Sequence, residues 1–223
     1  MARTHRYLAL ALIGLCLAVP AASGTLHGTI RAPLAAAPAP AMNAYPGHAG
    51  AMAGMQGVER GRVGDAVVYV EQIPAAAESA LAMTPRSRPR LAQKDEAFLP
   101  RVVAVAVGGA VDFPNLDPIY HNVFSLSPVK RFDLGKYPRG RSKAVVFDRT
   151  GLVKVYCDIH SEMEAFVLVL RNHAFVQPRA DGTFELPDLP AGRYELRVWH
   201  PDLPEIARTV DLPEGGARVD LSF

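Results

Sequence analysis

Cysteine is nearly absent from this sequence. The 223 residues hold two, Cys16 and Cys157, so a disulfide-stapled scaffold is excluded. An excess of charge of one sign is missing as well: 24 Lys and Arg face 22 Asp and Glu, a formal net charge of +2. That balance gives no reason to expect nucleic acid or an anionic membrane as partner. Long apolar runs are absent except at residues 7–19. Heptad repeats, a phosphate-cradling glycine loop and nucleic-acid motifs are lacking too. No nucleophile–base pair can be assembled, since Ser161 beside His160 is a chance neighbour, and the expectation is a protein that is not an enzyme. What remains is a chain that is 49% apolar, enough for a packed core, with 18 Gly and 19 Pro that favour strands and turns over long helices.

The one apolar run has the flanks of a secretory leader. Arg3, His5 and Arg6 precede YLALALIGLCLAV, Pro20 breaks it, and AASG offers small residues for cleavage. Residues 1–23 are therefore expected to be a signal peptide, too short to span a bilayer comfortably; an uncleaved anchor is the rival. Lipid attachment at Cys16 is disfavoured by Leu15, where a small residue is needed. Export implies the periplasm, with no membrane span in the mature chain. Cys16 leaves with the leader, and Cys157 is then alone in an oxidising compartment. A lone thiol there is an oxidation liability unless it is buried or metal-bound. A buried inert Cys is the plain alternative, and its neighbours point the other way.

Downstream, the sequence predicts an all-β chain. Strand-like GTLHGTIRA at 24–32 is followed by an Ala/Pro/Gly/Met-rich stretch at 33–57 that is expected to be a flexible loop, then by DAVVYVEQI at 65–73. TPRSRPR at 84–90 has the composition of a linker. Six short runs then succeed one another (RVVAVAV, AVDFPN, HNVFSL, KAVVFD, LVKVYC and AFVLVL), as in a β-sandwich or barrel. GTFELPDL, GRYELRVWH, EIARTVDL and ARVDLSF continue the alternation to the end, punctuated by DG, AG and GG turns.

The chemistry concentrates in VYCDIHSEMEAFVLVL. Cys157, His160 and Met163 recur at intervals of three in a loop between two strand-like runs, so all three can turn toward one ion. A fourth ligand has to come from elsewhere, and His121 opens another strand 36 residues before Cys157. Thiolate and thioether favour Cu(I), imidazole suits Cu(II), and two His and one Cys with a long axial Met form the electron-transfer copper arrangement. Zinc seldom takes a thioether, and haem attachment needs a second Cys. Singly, each residue has a plain explanation: an edge His, a core Met, a chance Cys. Jointly they point to one copper ion.

The stretch from about residue 98 to 170 resembles the cupredoxin (blue copper) family, most closely its amicyanin branch, through FPN at 113–115, HNV at 121–123, GLVKVYC at 151–157 and CDIHSEM with its C-x2-H-x2-M spacing. The resemblance implies a Greek-key β-barrel or sandwich over residues 91–171. It also implies one type-1 copper ion on His121, Cys157, His160 and Met163, with Asn122 supporting the ligands by a hydrogen bond across to the Cys loop. His160 would be the electron port at an apolar surface patch, and the partner an unidentified redox protein.

GTFELPDLPAGRYELRVWHPDL resembles the carboxypeptidase regulatory-like (transthyretin-like) β-sandwich family, whose usual first half looks like residues 24–73. This implies a second small sandwich, made of 24–90 and 172–223, split by the cupredoxin unit. The rival is an ordinary C-terminal sandwich with a disordered N-terminal tail. Two segments stay open. The run at 130–143, with six cations and one Asp, is either a solvated hairpin or a docking face for an acidic redox partner. Met42, His48, Met52 and Met55 are either plain linker or a second Cu(I) site. No role is assigned to His27, His173 or His200, and Trp199 is expected in strand packing. A periplasmic, monomeric one-electron carrier is the leading function. Copper storage or delivery without redox turnover, and a β-sandwich interaction protein with an accessory copper site, are the alternatives.

Overall fold

The computed structural model describes residues 23–33 and 61–223. The expected leader, apart from Ser23, and the Met42/His48/Met52/Met55 segment lie outside the described residues. Ser23, within the stretch assigned to the leader, opens the first strand, Ser23–Gly24, paired with Leu189–Pro190.

Residues 91–171 form two facing layers. One is a five-stranded sheet in the order Val102–Ala106, Glu164–Leu170, Gly151–Tyr156, His121–Ser125, Phe132–Tyr137. Its first pair is parallel and the others are antiparallel. The opposite layer pairs Ala110–Pro114 with Ser142–Val146 and is flanked by the hairpin Ala92–Lys94 and Ala97–Leu99, bridged to it at Gln93 and Asn115. The layers remain separate hydrogen-bonded sheets, a sandwich and not a closed barrel. Phe98, Phe113, Val123, Phe147, Val153 and Val167 fill the space between them.

The remaining strands form two further sheets. Val67–Val70 lies between Phe175–Val176 and Gly192–Trp199, with Ile206–Leu212 at the edge. Leu26–Arg31 pairs with Thr183–Glu185 and, in parallel, with Ala217–Arg218 and Leu221–Ser222. Leu26, Ile30, Val68, Phe184, Leu196 and Val198 make their common core. Segments from before and after residues 91–171 therefore share sheets.

The continuous apolar runs RVVAVAV and AFVLVL now have a cause. Strand side chains alternate between faces. Val103, Val105, Ala165, Val167 and Val169 face the first core, while Val102, Ala104, Phe166, Leu168 and Leu170 meet Val67, Tyr69, Phe175 and Trp199 on the other side. These two strands are a wall shared by both bodies. Trp199 packs edge-on to Phe166, ring centroids 6.0 Å apart. Arg101 closes the same interface with a bidentate pair to Asp202 at 2.6 and 3.0 Å.

Two elements escape the sequence expectation. Ala75–Met83 is an α-helix in an otherwise all-β structure. Alanine has the highest helix propensity and Pro74 sets its start, yet only Ala77 is buried, so the segment carries no apolar stripe to announce it. The expected linker 84–90 is also tied down: Arg86 donates to the His173 carbonyl, and Arg88 pairs with Asp112 at 3.1 Å. Among the described residues no helix is long and apolar enough to cross a membrane.

Candidate metal centre

The strands Gly151–Tyr156 and Glu164–Leu170 pair up to Tyr156 and Glu164, which leaves a seven-residue loop pinned at both ends. Cys157 opens that loop and Met163 closes it, with the Met163 N–H donated to the His160 carbonyl at 3.1 Å. A short loop held this way has little backbone freedom. His121 arrives from the neighbouring strand of the same sheet, opposite Tyr137.

His121, Cys157 and His160 converge. The two Nδ1 atoms are 3.0 Å apart, and each lies 3.9 Å from Cys157 Sγ. The point equidistant from all three lies about 2.1 Å from each, at the distance of metal–imidazole bonds. The cluster is the one group of metal-ligating His, Cys, Asp or Glu atoms found among the described residues. His121 is fully buried, Cys157 is 5% exposed, and His160 is half-buried. Met163 is 1% exposed and lies in the same core cluster as Cys157. Two imidazoles and a thiol converging on one point can hold a metal ion.

Asp117 is the residue that sequence reasoning missed. Its carboxylate lies 2.7 Å from His121 Nε2 and accepts the backbone N–H groups of Asp95 at 2.6 Å and Glu96 at 3.0 Å. Burial raises its carboxyl, but the Glu96 N–H, the His121 ring and the Asp95 N–H outweigh burial and hold it below the usual carboxylate range. An ionised carboxylate only accepts hydrogen bonds, so His121 Nε2 carries the proton and Nδ1 keeps its lone pair for a metal. Asp95 and Glu96 both adopt φ +54°, a left-handed turn closing the hairpin over the site. Asp117 thus fixes the imidazole and the overhanging turn together. The signal available in sequence was the carboxylate four residues before His121 in NLDPIYH.

Asn115 staples the same loop: its Nδ2 donates to the carbonyls of Ile119 and Tyr137, and its Oδ1 accepts the Asp117 N–H. Behind it, Tyr137 donates to the Phe113 carbonyl and accepts from Gln93. Asn122 departs from expectation. It is buried, but its Nδ2 donates to Asp133 Oδ1 at 2.7 Å on the edge strand, and no hydrogen bond joins it to the Cys loop; its Oδ1 has no partner among the described residues. Alternation along the strand turns the residue after His121 to the other face, toward its neighbour on the edge strand. His27, His173 and His200 lie outside the cluster: His173 pairs with Glu78, and His200 contacts the Arg62 carbonyl.

The sequence matches no family model and no curated protein. Solved structures give partial overlaps. A copper-containing nitrite reductase from Thermus scotoductus SA-01 is 20% identical, at TM-score 0.37, over 39% of this chain and 23% of its own. The chain thus spans about a quarter of that enzyme. A purple cupredoxin from Nitrosopumilus maritimus is 22% identical, at TM-score 0.34, over 36% of this chain and 98% of its own. Amicyanin from Paracoccus versutus is 20% identical, at TM-score 0.35, over 46% of this chain and 96% of its own. The strand-dominated, two-layered arrangement expected from the sequence is present over residues 91–171. The donor atoms, and not these overlaps, carry the chemistry.

Proposed function

We propose that this chain is a periplasmic, monomeric carrier of single electrons, exported by its leader and built around one type-1 copper ion. The observation that supports this most is the convergence of His121, Cys157 and His160 on a common point, with Met163 buried at the end of the same loop. Copper held there supplies a Cu(I)/Cu(II) couple.

The chain's own residues account for the rest. Cys157 offers the thiolate, buried away from oxidants. Asp117 and the pinned loop hold the imidazoles in one geometry, so little has to move when the charge at the site changes by one. Met163, buried at the end of the loop, would supply the thioether ligand. His160, half-buried beside exposed Ile159, is the route by which an electron leaves. Four protein ligands leave no open strong-ligand position for a substrate, which favours a carrier over an enzyme. Residues 24–90 and 172–223 form one carboxypeptidase regulatory-like sandwich into which the copper unit, 91–171, is inserted. The strand Val67–Val70, held between Phe175–Val176 and Gly192–Trp199, supports that division.

Voltammetry of the copper-loaded protein tests the carrier reading. The expected result is one reversible one-electron wave over repeated cycles. Loss of the ion on reduction or oxidation would instead make this a storage or delivery protein.

A further inference from the structure

The Met163 end of the ligand loop is held from outside. Glu164 follows Met163 directly and makes the last rung of the strand ladder, opposite Tyr156. Its Oε2 lies 3.9 Å from Arg101 Nη2. The Arg101 carbonyl accepts the Phe166 N–H at 2.9 Å, and the guanidinium lies over the Phe166 ring, 5.1 Å from its centroid. Arg101, buried at 8% exposure, therefore touches the strand Glu164–Leu170 at its first and third residues.

The other side of Arg101 meets the second body, built from segments before and after residues 91–171. Asp202 accepts from both terminal nitrogens, at 2.6 and 3.0 Å. Asp65 Oδ2 stands 3.8 Å from Nη1 and has no hydrogen-bond partner among the described residues, so the bidentate pair to Asp202 sets where the guanidinium sits. Asp202 is fixed in turn: its Oδ2 accepts the Gly61 N–H at 3.3 Å, and its own N–H is donated to His200 Nδ1 at 3.1 Å. Contacts thus run from Asp202 through Arg101 to Glu164, the residue beside Met163.

Resting on the copper reading, we infer that Asp202 and Arg101 are positioning residues for the metal centre, through which the second body fixes the Met163 thioether relative to the other ligands. A Met side chain turns about three bonds. Its sulfur has no ring N–H to anchor, as His121 has with Asp117, so its place depends on the backbone that carries it. Outer partners of ligands change metal affinity about 10–100-fold when they are removed.

The test is a double-mutant cycle. Cu(I) affinity is measured by chelator competition in the parent, Asp202→Asn, Met163→Leu and the two combined. Asp202→Asn keeps the shape of the side chain and removes its charge, and should lower affinity about tenfold where Met163 is present. In the Met163→Leu background the same change should cost less than about twofold. Glu164→Gln should repeat this pattern. Asp112→Asn removes the Arg88 pair, which joins the two bodies through the opposite layer, and should leave affinity unchanged. Equal losses from Asp202→Asn in both backgrounds would show a role in folding alone and overturn the inference, as would no loss in either. The Met163 methyl resonance of the metal-free protein, labelled with carbon-13, should shift or broaden in Asp202→Asn and stay in place in Asp112→Asn; an unmoved methyl in Asp202→Asn would also overturn it. If the parent binds no copper, the copper reading falls, while the methyl resonance still decides whether Asp202 positions Met163.

Discussion

Replacing Asp117 by Asn probes the account where geometry is tightest. The carboxylate meets three donors within 3.0 Å: His121 Nε2 and the N–H groups of Asp95 and Glu96. An amide keeps one acceptor oxygen and presents an NH2 to the remaining donors. Hydrogen bonds to a charged group contribute about 1.5–3 kcal/mol each. With part of the set retained, the metal-free protein should lose about 2 kcal/mol, a fall in Tm of roughly 4–8 °C for a chain of this size. The freed imidazole loses its enforced tautomer and orientation, and metal affinity should drop about 10–100-fold. Chelator competition for Cu(I), alongside thermal unfolding of the metal-free protein, separates the two effects. Glu96→Gln is the contrast. Its carboxylate is 3.8 Å from His160 and 54% exposed, so affinity should stay within about twofold. Copper affinity in Asp117→Asn equal to the parent's would refute the role given to this carboxylate.

Other perturbations reach the rest of the fold. Arg101→Met leaves buried Asp65 and exposed Asp202 without the Arg101 guanidinium and should cost about 3 kcal/mol in denaturant unfolding; a change under about 1 kcal/mol would mean the interface is wet. A Cβ at Gly28 would lie 1.8 Å from the Val219 carbonyl oxygen, so Gly28→Ala should force Leu26–Arg31 off its parallel partners and cost about 3 kcal/mol or more. A well-tolerated alanine would show that those segments are not packed side by side. Thr29 and then Arg218 hold Asp220 down to about 2. The unfolded group titrates near 3.9, so its stabilising effect is complete above about pH 4 and fades as pH falls toward 2. The acid limb of stability should therefore be shallower in Asp220→Asn, and identical limbs would count against the pairing.

The loop was legible because its spacing is local: Cys157, His160 and Met163 sit within seven residues between two apolar strands, and the first two meet His121 in the cluster. The strands were legible where alternation or continuous apolarity reflects burial, and the doubly buried wall of Val102–Ala106 and Glu164–Leu170 gives the longest runs. Phe132–Tyr137 was hidden among cations because an edge strand buries little: only its last residue is fully covered. Asp117 became significant through contacts with a hairpin more than twenty residues earlier, which no window of sequence contains. Asn122 was placed by resemblance, and the side-chain alternation that sends it to Asp133 depends on a neighbouring strand that the sequence left undefined.

The most direct measurement is the visible absorption spectrum of the protein after adding Cu(II), beside Cys157→Ala. An intense charge-transfer band is expected in the parent and none in the variant, the mark of copper bound to the Cys157 thiolate. A colourless parent, or a band that survives the substitution, would contradict it.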